Sequence, residues 1–444
     1  MILRTLFSAF ILIFVAVLPA RAVEVQRVVS KGGLEAWLVE DHSNPIIALD
    51  LAFRGGSALD PQGKAGLANL VASLIDEGAG DLDSQAFQGT LDDNSISLRF
   101  SAGQDSFGGE FFTLSENRDL AFKLLRLALT QPRFDPEPVE RIRAQILAGI
   151  ESSAENPDSI AARTLRRLFF PGHPYGQPGE GTAESVAGIA PADMRDFVAQ
   201  RFARDTLVVG VVGDITPGDL AELLDRTFSD LPARAEAFAV ADTPPEGEGA
   251  LVVVERDVPQ SVVSFGHAGL KRDDPDYYAA YVVNYILGGG GFSSRLYEEV
   301  REKRGLAYSV YSYLNPLDHS ALVVGGVATQ NGRVATSLEL IRQEWRRMAE
   351  DGPSETELQN AKTFLTGSYP LRFSSSGRIS GMLAGMQREN LGIDYLDRRN
   401  SLIEAVTLDD ARRAAKRLYD ADRLTVVVVG RPDGVVANRD APES

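Results

Sequence analysis

The chain has 444 residues, with 62 acids against 45 lysines and arginines, a formal charge of −17 and no cysteine. Charge of that sign excludes nucleic-acid binding through a general electrostatic term. The missing cysteines exclude disulfides, a thiol nucleophile and Cys-ligated zinc.

The first element in chain order is a targeting segment. Arg4 supplies a positive start, residues 6–19 an apolar run, and Ala20-Arg21-Ala22 a small-x-small site, so residues 1–22 read as a secretory signal cut after Ala22. The run falls short of the roughly 20 residues of a membrane span; an uncleaved anchor is the alternative. No second run of spanning length follows, so the mature protein is expected to be exported, without a stable membrane span. Export without cysteine fits a bacterial-type periplasm. Losing residues 1–22 removes two arginines and moves the charge from −17 to −19.

The mature chain then shows one order of elements twice. Alternation predicts strands at 34–40 and 46–53, a glycine-led helix at 66–77, and a hairpin from 97–103 and 108–114. Helical periodicity follows at 120–129, 138–155 and 162–169, and the half closes with a helix at 194–202 and a strand at 207–212. Residues 233–249 (ARAEAFAVADTPPEGEG) lack a sustained period and read as a linker. Beyond it come strands at 250–255 and 261–266, a helix at 277–287, and a hairpin from 308–313 and 321–327. Helices at 335–349, 355–371 and 408–418 and a strand at 424–429 complete the second half. The expectation is an α+β fold of two homologous domains, 23–232 and 250–434, each an antiparallel or mixed sheet covered by helices, with a tail at 435–444. Two unrelated α/β domains are the alternative reading.

The segment with most chemistry is GGGGFSSRLYEEVREKRGLAY at 288–308. Gly288, Gly289, Gly290 and Gly291 follow an apolar helical run and would let a ligand backbone come close. Arg301 and Tyr308, seven positions apart, could then aim a cation and a phenol at one oxygen of a bound peptide. The plainer reading is a turn and a surface helix, with Arg301 in helical charge pairs, Arg304 equally placed, and Tyr308 packing in a sheet. No Gly-x-Ser-x-Gly turn or Gly-Lys-Ser/Thr phosphate loop is present, and the glycine run lacks the third glycine of a dinucleotide fingerprint.

Together with GHPYGQPGEGT (172–182), VVGVVGD (208–214) and the duplication, this segment resembles the pitrilysin/insulinase-type metallopeptidases, which include the mitochondrial processing peptidases. The resemblance covers essentially the whole mature chain and implies a pair of domains forming half of a clamshell. Active members carry His-x-x-Glu-His on the first helix of the first half, two histidines for zinc and a glutamate as base. Here GLANLVASLIDEG places Asn69, Ala72 and Ser73 at those positions, offering neither imidazole nor base. The third-ligand position falls near Gly149, with Glu151 close by and the register open. The only histidines, His42, His173, His267 and His319, form no i, i+3 or i, i+4 pair. The resemblance therefore implies no metal or cofactor in this chain, and zinc in a homologous partner subunit that carries His-x-x-Glu-His. In that divided form, similar to the alpha subunit of mitochondrial processing peptidase, this chain is inactive alone. It would supply the glycine loop to bind a peptide or unfolded polypeptide, and Arg301 and Tyr308 as catalytic donors. A catalytically inactive scaffold of the same fold, and a homodimeric peptidase with an unrecognised metal site, are the other readings.

Overall fold

A computed structural model describes residues 24–442, so the expected signal at 1–22 lies outside the described residues. The first half runs β1 (Gln26–Val29), β2 (Glu35–Glu40), β3 (Ile46–Arg54), α1 (Leu67–Ala72), α2 (Ser84–Asp93), β4 (Ser97–Ala102), β5 (Ser106–Leu114), α3 (Arg118–Thr130) and α4 (Pro136–Glu155). It continues through α5 (Pro157–Phe169), α6 (Ala183–Ala187), α7 (Pro191–Arg201), β6 (Leu207–Gly213) and α8 (Pro217–Phe228). The second half runs β7 (Leu251–Glu255), β8 (Gln260–Ala268), α9 (Tyr277–Asn284), β9 (Ala307–Pro316), β10 (Ala321–Gln330), α10 (Val334–Asp351) and α11 (Glu355–Gly367). Then come α12 (Ser376–Arg388), α13 (Tyr395–Glu404), α14 (Leu408–Leu418) and β11 (Thr425–Gly430). Residues 233–249 hold no helix or strand.

The two sheets have orders β1-β2-β6-β3-β5-β4 and β7-β11-β8-β10-β9. Each is mixed. β2 with β6 and β7 with β11 are parallel, and the other pairs are antiparallel. The second sheet thus repeats the first without β1. This is the expected α+β fold of two like units, sheets covered by helices.

The strand patterns explain the layers. β3 sends Ile47, Leu49, Leu51 and Phe53 into one core with α1, α3, α7 and α8. β11 is buried along its whole length, Thr425 to Gly430, because both faces of its sheet are covered. An unbroken run of valines suits such a strand.

The second covers are exchanged between halves. α5, from the first half, lays Ile160, Ala161, Leu165, Leu168 and Phe169 on Val252, Val427 and Val429 of the second sheet. α12, from the second half, lays Ile379, Leu383 and Met386 on Trp37, Val39 and Val212 of the first. Each Val, Leu, Ile, Phe or Met side chain buried this way contributes roughly 1.5–3 kcal/mol. Gly210 of β6 allows this approach, since a Cβ there would stand 2.4 Å from the Ser380 carbonyl.

Several bounds differ from the sequence reading. The helix expected at 66–77 is regular only from Leu67 to Ala72. Gly66 precedes it at φ +91, and the Asp60 carboxylate accepts from Gly66 N (2.8 Å) and Ala68 N (2.9 Å), fixing its start. The helix expected at 355–371 ends at Gly367, ahead of Pro370, and a short 3-10 turn follows. α9 gives way to a wide π-type turn at Tyr285–Gly289. β1, α2, α6, α8, α12 and α13 are additional to the elements expected from the sequence.

Candidate functional site

The glycine run lies where α9 exits onto β9. Asn284 Nδ2 donates to the Ser312 carbonyl (3.1 Å) and Ser312 Oγ donates to Asn284 Oδ1 (2.9 Å). Gly288 is buried in this seam, and a Cβ on it would stand 2.3 Å from Ser312 Oγ. Packing alone therefore requires Gly288. Gly289 and Gly291 are exposed and Gly290 half-buried; Gly291 has φ +54 and open space around it.

Arg301 sits in a second π-type segment, Tyr297–Glu302, where Lys303 N reaches back to Glu298 O (2.9 Å). Wide turns of this kind concentrate at functional sites. Upstream, Arg295 anchors the segment: its guanidinium makes two bonds to Glu357 (2.6 and 2.8 Å) and one to the Gly352 carbonyl (3.0 Å).

The structure brings Arg301 and Tyr308 together. Arg301 Nη1 donates to the Tyr308 carbonyl (2.9 Å), and the guanidinium carbon lies 4.6 Å from the Tyr308 ring centroid. Tyr297 (4.7 Å) and Phe292 (5.9 Å) complete an aromatic surround. Cation–π contacts of this kind fix a guanidinium in place. Arg304, the alternative arginine, is instead tied to Glu299.

Tyr308 owes its exposure to a bulge. Val327 of β10 faces Val310 of β9, but Thr329 faces Ala307, so Tyr308 and Ser309 stand together opposite Ala328. A bulge re-aims a side chain, and Tyr308 is 82% exposed. β9 is the edge of its sheet, with Tyr311 and Tyr313 stacked along it. The arrangement offers a held cation, a phenol and an open strand edge, which can grip an extended peptide and donate to its carbonyl.

The first half presents a different picture at the corresponding helix. Asn69 is half-buried, Ala72 is buried, and Ser73 Oγ donates back to the Asn69 carbonyl (2.9 Å). Gly149 is exposed on α4, which packs against α1. Arg141 of α4 pairs with Glu77 just past α1 (2.7 Å). A zinc ion does not fit this donor set, for it contains no imidazole and its only hydroxyl is spent on its own helix.

All four histidines have other partners. His42 lies between Asp214 (2.6 Å) and Glu40 (2.8 Å), and these two hydrogen bonds raise its pKa. His173 Nδ1 accepts from Tyr175 N (3.1 Å), and His319 Nδ1 lies 3.0 Å from Asp242. His267 is buried, accepts from Trp345 Nε1 (2.9 Å) and is held at about 4 by desolvation. Among the described residues no three His, Asp or Glu side chains cluster to hold a metal.

Sequence reasoning missed Phe292, Tyr297 and Arg333. Phe292 directly follows the glycines and is 80% exposed, an unusual place for an aromatic. Arg333 was reachable through the predicted hairpin, whose pairing returns the end of β10 to the start of β9.

The family described as insulinase (peptidase family M16) matches residues 36–183, and the peptidase M16 inactive domain matches 188–365. The non-peptidase homolog YmxG of Helicobacter pylori is 31% identical over 335 residues, 75% of this chain and 77% of that protein. The chain belongs to peptidase family M16. An uncharacterized zinc protease of Streptomyces coelicolor is 28% identical, over 76% of each chain. The solved M16 inactive domain from Pseudomonas fluorescens superposes with TM-score 0.86 at 29% identity, covering 94% of this chain and 100% of that one. A protease from Helicobacter pylori superposes with TM-score 0.83 at 18% identity (92% and 99% covered), which shows the fold alone. M16 relatives with opposite descriptions thus stand at similar identity. Side chains, not overall likeness, have to separate them. This M16 chain contains no His-x-x-Glu-His.

Proposed function

We propose that this M16 chain is the zinc-less subunit of an exported heterodimeric metallopeptidase, binding peptide substrate and stabilising its transition state. One observation carries the reading: Arg301 and Tyr308 are held together at an exposed strand edge (4.6 Å), while Asn69, Ala72 and Ser73 line a helix with no metal-binding side chain. The partner would be a homologous subunit carrying His-x-x-Glu-His and the zinc that activates the attacking water. This chain's part is electrostatic. Arg301 offers a planar fork of N–H donors, and the Tyr308 hydroxyl adds an O–H donor. Both would donate to the substrate carbonyl oxygen as negative charge builds on it, and such bonds count most in the transition state. Gly289–Gly291 leave room for the substrate backbone.

The test is reconstitution. The purified mature chain should contain no stoichiometric zinc and cleave no peptide. Adding a His-x-x-Glu-His M16 subunit from the same cell should produce chelator-sensitive cleavage above that subunit's own rate. One tightly bound zinc per chain, with cleavage by the isolated product, would refute the proposal. Export is checked separately by fractionation and by an N-terminus at Val23. The non-peptidase description of the Helicobacter pylori relative favours a second reading, an inactive scaffold. That reading gains if the mixed subunits assemble without any rise in cleavage.

A further inference from the structure

A recess of about 410 Å³ opens beside Arg301 and Tyr308, between the start of β9 and the end of β10. Arg301, Arg333, Glu302, Gln260, Gln330 and Thr329 line it. Arg333 Nη1 donates to the Gly305 carbonyl (2.8 Å), just as Arg301 Nη1 donates to that of Tyr308 (2.9 Å). Each arginine spends one donor on backbone, and neither has a carboxylate partner among the described residues. Glu302 is the one carboxylate in the lining and has no ion pair there either. Two guanidiniums against one carboxylate leave a local positive excess. The neighbouring acids Glu298 and Glu299 are taken up by Lys303 and Arg304, and charge beyond about 8 Å is screened at physiological salt. The bulge at Tyr308 and Ser309 opens the strand pairing at the mouth of this recess.

We propose that this recess is an anion subsite that takes a carboxylate of the bound peptide, from an acidic side chain or a free C-terminus. The inference rests on the peptide-binding role above and deepens it by naming the substrate class. Arg333 and Arg301 supply several N–H donors in planar forks, the geometry that suits a carboxylate. Glu302 opposes the same charge and limits affinity.

The experiment measures binding of labelled extended peptides to the full mature chain by fluorescence anisotropy. Three peptides share one sequence: neutral and amidated, amidated with one internal Glu, and neutral with a free C-terminus. The readout is the affinity ratio of a carboxylate peptide to the neutral one. The ratio should be about 2–5, the range of an exposed ion pair, and should shrink as salt rises. It should fall to about 1 in Arg333→Gln, persist in Arg333→Lys and grow in Glu302→Gln. Whichever carboxylate peptide carries the preference identifies the source. Equal affinities for all three peptides, or a preference untouched by Arg333→Gln, would overturn the subsite and leave the proposed function standing. No binding of any peptide would overturn both.

Discussion

The two halves share a strand order but treat the helix beside their outer edge strands in opposite ways. In the first half α1 is self-contained: Ala72 is buried, Ser73 bonds back to Asn69, and Asp60 holds the start. In the second half, the path from α9 to β9 passes through two π-type turns and a bulge and ends with Tyr308 in solvent. Irregular backbone and exposed aromatics cost stability, and chains keep them where they serve a ligand. The comparison teaches that two frames of one strand order carry a regular helix in one half and an irregular, exposed crossing in the other.

The sharpest way to test that contrast is to substitute matching positions in a reconstituted complex. Arg301→Ala or Tyr308→Phe should lower kcat about 10²–10³-fold, the loss expected for one oxyanion donor. Asn69→Ala, on the quiet side, should change kcat less than about twofold if the first half does no chemistry. Steady-state kinetics checks both, and full activity in Arg301→Ala would remove its catalytic role.

Next in size is the anchor of the second half's irregular segment. Arg295 is nearly buried, and Glu357→Ala leaves its charge unpaired at a cost of about 3 kcal/mol. Burial alone would raise the Glu357 pKa, but the bonds from Arg295 and Ser354 outweigh it and hold the group at about 2. A carboxylate depressed below its ordinary 4.5 stabilises fully above that value. The contribution should drain as pH falls from 4.5 towards 2, and Glu357→Ala should flatten that acid limb of a denaturation series.

The frame was largely legible in the sequence, and the reasons are local. Alternation in 46–53 and the valine run of β11 are direct images of one-sided and two-sided burial. The hairpins and the helix–strand endings of both halves came from the same signal. What stayed hidden was tertiary. Nothing in the residues of α12 says that it covers the other half's sheet, because an amphipathic stripe does not name the surface it meets. The site was legible only in part. Arg301 and Tyr308 could be placed by motif, yet plain alternation from Tyr313 back to Tyr311 and Ser309 would bury Tyr308. The bulge reverses that outcome, and no residue in SVYSY marks it. Gly288 looked like a ligand contact and is explained by the backbone and hydroxyl of Ser312, a neighbour 24 positions away.

The exchanged helices allow a smaller test at one contact, that of α12 on β6. Gly210→Ala drives a Cβ to 2.4 Å from the Ser380 carbonyl and should destabilise by about 1–3 kcal/mol. Gly385 lies within α12 with nothing inside 4 Å of its missing Cβ. Gly385→Ala should therefore stabilise, by up to about 1 kcal/mol of helix propensity. Chemical denaturation of both variants separates steric docking of α12 from its intrinsic helicity; equal signs would refute the close-approach argument.

The smallest effect concerns what each exchanged helix rests on. α5 lies on an apolar face, Val252, Val427 and Val429. α12 spans a more polar one, where Ser380 Oγ donates to Asp50 (2.5 Å) and Gln387 Nε2 donates to the Val209 carbonyl (2.8 Å). Burial raises the Asp50 pKa to about 6, against the lowering bond from Ser380, and Glu110 directly across the strand pair adds to the rise. An acid raised in the folded state favours folding while protonated, so its contribution is full below 3.8 and lost as pH rises through about 6. Asp50→Asn keeps the hydrogen bond and removes the charge. At pH 7.5 it should stabilise by about 1 kcal/mol after allowance for solvent screening, and by nothing at pH 4. Native-state hydrogen exchange should show α12 opening more readily than α5 at neutral pH, with the gap narrowed in Asp50→Asn. An unchanged gap would mean that apolar area, not the buried carboxylate, sets how firmly the second half's helix grips the first.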